Sequence, residues 1–107
     1  MPSVSLYRLQ LDELQVSVEA RFDGDRLIID GCDQGERVRQ LQGDWDYEYS
    51  LTLPKESVDA LGELLGAWEP EALLAALAAR FHGPTCFSQI RSFLESHGVK
   101  ARSFFYV

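Results

Sequence analysis

Apolar and polar residues alternate strictly through much of the first half of the chain. The clearest stretch runs from Gly43 to Pro54, where Tyr47, Tyr49, Leu51 and Leu53 alternate with Asp46, Glu48, Ser50 and Thr52. Successive side chains of a strand point to opposite faces, so this stretch has one apolar face and one acidic face. Residues 14–22 show the same period, and a first strand is expected near residues 3–10. The first half therefore predicts a sheet with one buried face.

Turn signals divide this half further. The sequence Asp23-Gly24-Asp25 follows the second strand, and Asp-Gly favours a hairpin turn because glycine accepts positive φ. A short strand is expected over residues 27–30, followed by a polar loop over 31–36. Residues 36–42 are weakly patterned, and we interpret them as a further strand.

The second half changes to helical spacing. The apolar residues of the first predicted helix recur at intervals of three and one, as Val58, Leu61, Leu64 and Leu65. Pro70 suits the first position of a second helix, which His82-Gly83-Pro84 would end, and Thr85 could cap a third. Residues 99–107 alternate again and are rich in β-forming residues, so they should return to the sheet.

These elements predict an α+β fold made of a single domain, residues 1–107. An antiparallel sheet of four to six strands carries three helices on one face, and the C-terminal strand rejoins the sheet. The expected core contains Leu14, Val16, Val18, Phe22, Leu27, Ile29, Tyr49, Leu51, Leu61, Leu64, Leu73, Leu77, Phe81, Ile90, Leu94 and Phe105.

The net charge of the chain limits the classes of partner that it is expected to bind. The chain has 10 basic and 17 acidic residues, a net charge of −7. This balance argues against binding to nucleic acid or to an anionic membrane surface, and it favours a basic protein partner.

Cys32 and Cys86 are far apart in sequence, and no apolar run resembles a signal peptide or a spanning helix. We therefore expect a cytoplasmic protein with free thiols.

Few residues have the spacing that catalysis or metal binding requires. The acidic turns lack the further ligands of a calcium loop, and His82 and His97 lack a zinc-site spacing, so no metal or cofactor is expected. Cys86 at a helix start, with His82 as base, is one catalytic alternative. The carboxylates of Asp46 and Glu48 are another.

The strongest binding candidates flank the start of the acidic strand. Asp44, Asp46 and Glu48 supply negative charge, and Trp45 lies beside a turn, where an exposed tryptophan often anchors an interface. The leading hypothesis is thus a non-catalytic module that presents these four residues to a basic partner. One alternative is a structural domain that forms a homodimer through a strand edge or through residues 104–107. The other alternative is the small enzyme.

One run of residues in the chain resembles a known protein family. The run Gly43-Asp-Trp-Asp-Tyr-Glu-Tyr49, followed by an amphipathic and a leucine-rich helix, resembles a small family of uncharacterised bacterial proteins. The resemblance implies a bacterial protein but assigns no site residue. The chain is also similar in general character to immunity proteins of bacterial toxin systems, which are short, acidic, single-domain chains without a catalytic signature.

Overall fold

The computed structural model describes residues 2–43 and 45–106. The elements are β1 (Ser3–Gln10), β2 (Gln15–Asp23), β3 (Arg26–Gln34), α1 (Glu36–Gln42), β4 (Asp46–Leu53), α2 (Lys55–Leu65), α3 (Pro70–Arg80), α4 (Cys86–Ser96) and β5 (Arg102–Tyr106). The strands form one antiparallel sheet in the order β1-β2-β3-β4-β5. This confirms the predicted α+β class. In the part of the chain described, no helix is both long and apolar enough to cross a bilayer.

Helices α2, α3 and α4 cover one face of the sheet, which we call the helix face. The register places Val18, Ala20 and Phe22 of β2 on it, beside Leu27 and Ile29 of β3. Their β4 partners are buried as well, so the alternation predicted for β2 and β4 is confirmed. The opposite side of the sheet, which we call the open face, carries the polar residues of the same strands.

Most of the predicted core is buried between this sheet and the helices. The buried members are Val18, Phe22, Leu27, Ile29, Leu51, Leu61, Leu73, Leu77, Phe81, Ile90 and Leu94. Leu14 and Val16 are half-buried and lie at the end of the sheet beside α1, and Tyr49 is half-buried against Phe87 of α4. The prediction was wrong for Leu64, which is 42% exposed on α2, and for Phe105, which is 46% exposed on the edge strand β5.

Two predicted elements differ from the structure. Residues 36–42 form the helix α1 and not a strand. Val38 of α1 is buried, and Gly43 ends the helix with φ 84°, a left-handed conformation that suits glycine. The loop expected over residues 31–36 is also wrong at its start, because β3 continues to Gln34 in full register with β4.

The sheet edges are built differently. The register of β1 against β2 shifts between Ser5 and Tyr7, so β1 contains an irregularity that lets Leu6 become buried while Arg8 lies opposite Ser17 on the open face. At the other edge, the chain enters β5 through Lys100. The Ser57 hydroxyl of α2 donates a hydrogen bond to the Lys100 carbonyl oxygen at 2.6 Å, which fixes the start of β5 against the helix layer.

Candidate binding surface on the open face

The open face brings side chains from five strands into cross-strand rows. One row contains Ser5, Glu19, Asp30, Ser50 and Phe104, and the next contains Arg8, Ser17, Cys32, Glu48 and Tyr106. Neighbouring strands lie about 4.8 Å apart, so residues in one row are close neighbours. Because these side chains come from five different strands, the surface depends on the register of the whole sheet.

A shallow groove of about 410 Å³ crosses the middle of this face. It is lined by Ser17, Glu19, Asp30, Gly31, Cys32, Glu48, Tyr49, Ser50 and Tyr106. Carboxylates and hydroxyls make up most of its polar lining, and the Tyr106 side chain closes it at the β5 end. The groove is therefore suited to an extended, hydrogen-bonding, positively charged ligand.

The carboxylates of the groove are unevenly compensated. Glu19 lies directly opposite Asp30, an arrangement of like charges that destabilises a sheet. The Arg21 Nε donates a hydrogen bond to Asp30 Oδ2 at 2.9 Å and offsets that charge. Within the described chain, neither Glu19 nor Glu48 forms an ion pair. Two negative charges of the groove thus lack a cation.

The structure places two of the four predicted binding residues on the open face. Asp46 and Glu48 are exposed on the open face, as the alternation indicated. Trp45 is 54% exposed, and its ring lies 5.4 Å from the Arg39 guanidinium carbon of α1. Asp44 lies outside the described residues. Glu48 thus reaches the groove, whereas Trp45 lies beside α1.

Apart from Glu48, the residues that line the groove were not among the predicted site residues, and the missed ones that matter most for binding are Glu19, Asp30 and Tyr106. Glu19 and Asp30 come from β2 and β3, and Tyr106 comes from β5. Alternation within β2 already indicated that Glu19 is on a polar face. The Asp23-Gly24 turn indicated the hairpin that sets Glu19 opposite Asp30, whereas the sequence could not show the pairing that sets Tyr106 opposite Glu48.

The two thiols differ in exposure, and neither is activated. Cys32 lines the groove, and partial burial raises its pKa, helped by the nearby carboxylates of Glu48, Asp46 and Asp33. Cys86 is completely buried, and burial raises its pKa as well. A nucleophilic cysteine needs a lowered pKa and access to substrate, so the environment of Cys86 opposes the proposed Cys86–His82 chemistry.

Other candidate chemistry is sparse in the described residues. They contain no group of three or more histidine, cysteine or acidic side chains arranged to hold a metal ion. Asp33 lies on the helix face, where burial raises its pKa although the Tyr49 hydroxyl donates a hydrogen bond to its Oδ1 at 2.8 Å. This hydrogen bond links β3 to β4 on the helix face of the sheet.

Comparison with protein-family models, with characterised proteins and with solved structures finds no match for this chain. The groove and its charges are therefore the basis on which a function is proposed.

Proposed function

We propose that this protein is a non-catalytic binding module whose open face receives an extended, basic segment of a protein partner. The observation that supports this most is the pair of uncompensated carboxylates, Glu19 and Glu48, on either side of the groove centre. A sheet gains nothing for its own stability from Glu19 opposite Asp30. A cationic ligand would turn this repulsion into attraction.

The shape of the groove supports a peptide more than a small molecule. Small-molecule sites are usually concave and mostly apolar, and they enclose most of the ligand. This groove is open, about half of its lining is polar, and it runs across the strands. Tyr106 at its end offers an aromatic face to a lysine or arginine side chain, since cations bind over aromatic rings. Asp46, together with Asp44 and Trp45, is proposed as the outer part of the same surface.

The proposed setting is the bacterial cytoplasm. Both cysteines are free thiols, and Cys32 is partly exposed at the binding surface, which suits a reducing compartment. An immunity-like role fits the same picture, because such a module works by electrostatic association and needs no catalytic group. Association of this kind is fast and weakens as salt screens the charges.

A comparison of two charge-reversal variants tests the proposal. The groove variant is Glu19→Lys with Glu48→Lys. The matched control is Glu63→Lys with Glu71→Lys, which makes the same change in net charge on the exposed side of α2 and α3. Each protein is immobilised, incubated with lysate of the source cells at low salt, and washed with rising salt. Proteins that the native chain retains are then purified and titrated calorimetrically against all three forms.

We expect a basic protein that binds the native chain and the control, and whose affinity for the groove variant falls by about tenfold or more. Circular dichroism on both variants checks that they fold. Equal binding to the native chain and the groove variant would remove the open face as the binding surface. Loss of binding in the control alone would move the site to the helix side, where Trp68 is 73% exposed.

A further inference from the structure

The edge strand β5 is less protected against pairing with another chain than β1, the strand at the opposite edge of the sheet. The β1 edge has an irregular register and packs against α3. All five residues of β5 are exposed, and its pairing with β4 is regular from Arg102 to Tyr106. Regular, exposed, apolar edge strands pair with other chains unless a charge, proline or bulge blocks them. The β5 edge has such a charge at its first residue alone.

Aromatic side chains cover both sides of β5. The rings of Phe104 and Tyr106 stack on the open face, with centroids 6.2 Å apart and planes 8° from parallel. Phe105 lies on the helix face, 5.3 Å from the Arg91 guanidinium carbon of α4. The three residues are 39%, 46% and 59% exposed in chain order. Exposed aromatic side chains such as these are enriched in protein interfaces.

The two ends of β5 have opposite electrostatic surroundings. Lys100 and Arg102 lie at its start, and neither forms an ion pair with a described residue. At its other end, Tyr106 lies opposite Glu48, and Asp46 follows on the same face of β4. Antiparallel pairing of two β5 strands brings each basic start against the acidic end of the other copy. The edge is therefore complementary in charge to itself.

We propose that β5 pairs antiparallel with β5 of a second copy of this chain and joins the two sheets into one. A two-fold axis normal to the sheet keeps the two open faces on the same side. Each residue that points to the open face must therefore pair with a residue of the other copy that also points to the open face. Pairing centred on Phe104 sets the two Phe104 rings against each other. It also sets Arg102 of each copy opposite Tyr106 of the other, within reach of a cation–π contact.

The interface is small, so the association is weak. Five residues on each side bury less than the roughly 1,200 Å² of a stable, specific interface. We therefore expect a transient dimer, with a dissociation constant in the micromolar range or above. This inference does not depend on the proposed basic partner, because its test uses the purified chain alone.

Sedimentation equilibrium from roughly 1 to 500 μM tests the association. The native chain should change from monomer to dimer across this range. Phe104→Lys sets two like charges against each other at the two-fold axis and should weaken the dimer by at least about tenfold. The matched control is Leu64→Lys, a leucine of similar exposure on α2, and it should leave the dimer unchanged.

A cysteine variant tests the register, and it stays informative if Phe104→Lys fails to fold. Directly opposed residues of an antiparallel pair have Cα atoms about 4.5–5.5 Å apart, within disulfide range. Phe104→Cys should form a covalent dimer under mild oxidation, much faster than the native chain and than Leu64→Cys. A native chain that stays monomeric throughout, a dimer insensitive to Phe104→Lys, or equal cross-linking of the three forms would overturn the proposal.

Discussion

The ring of Tyr49 on β4 lies over Gly31 on β3, in the space that a side chain at position 31 would need. The two residues are direct cross-strand partners, and a Cβ built on Gly31 would be 1.8 Å from Tyr49 Cε2. Tyr49 is held there from two sides. Its ring meets Phe87 of α4 edge to face at 4.7 Å between centroids, and its hydroxyl donates to Asp33. Glycine in the middle of this strand is thus explained by the close approach of an aromatic ring.

Gly31→Ala should lower the free energy of unfolding by about 2–3 kcal/mol, because the ring must leave a well-packed position. In a Tyr49→Ala background, the same substitution should cost nothing or be slightly stabilising, because alanine loses less entropy in a strand than glycine does. Denaturant titration of the four proteins measures both effects. If Gly31→Ala costs the same in both backgrounds, the clash with Tyr49 is not its cause.

The bond between Tyr49 and Asp33 gives a second prediction. Burial raises the pKa of Asp33, so the folded state holds a proton on this carboxyl more tightly than the unfolded state. The contribution of Asp33 to stability therefore falls as pH rises from the unfolded pKa, about 3.9, through the raised folded pKa. Asp33→Asn keeps an acceptor for the tyrosine and abolishes this titration. Relative to the native chain, Asp33→Asn should become more stable as pH rises to neutrality.

Tyr49→Phe is the complementary variant. It leaves the half-buried Asp33 carboxylate without its hydroxyl donor and should cost about 1 kcal/mol near neutral pH. In the Asp33→Asn background the cost should be smaller. Thermal unfolding of both single variants and the double variant across acid and neutral pH checks the pair. A stability difference between the native chain and Asp33→Asn that does not change with pH would contradict the assignment.

The thiols give a third prediction. In the native state, an aromatic disulfide reagent should modify Cys32 slowly and leave Cys86 untouched until the protein unfolds, since Cys86 is fully buried. Glu48→Gln removes one of the charges that raise the pKa of Cys32 and should increase its rate about twofold or more near pH 8. Cys32→Ser identifies which thiol reacts. Rapid modification of Cys86 in the folded protein would contradict this prediction and would support the alternative of an enzyme that uses Cys86.

Local patterns in the sequence were sufficient to predict most of this fold. The alternation along β2 and β4 predicted which side chains are buried, and Asp23-Gly24 predicted the hairpin, whose Gly24 has φ 65°. The helix α1, in which Val38 is buried, was missed because it is short. The end of β3 was missed because Gly31 looks like a loop residue until the ring of Tyr49 is placed beside it.

The binding surface could be predicted only in part, for a physical reason. Asp46 and Glu48 lie on one strand, so their period shows that they share a face. The Asp23-Gly24 turn brings Glu19 opposite Asp30, but the groove also needs Tyr106, whose place beside Glu48 depends on the pairing of β4 with β5, two strands far apart in the chain. A single sequence contains no local signal for that pairing.

The three helices between β4 and β5 have a consequence for the order of folding. Strands β1 to β4 can pair through short connections, whereas β4 and β5 pair residues about fifty positions apart, which makes their contacts costly in chain entropy. Since β5 is also an exposed edge, we expect it to join the sheet late and to open locally at low free energy. Tyr106, which lines the groove at its β5 end, would then be in place only while β5 stays paired with β4.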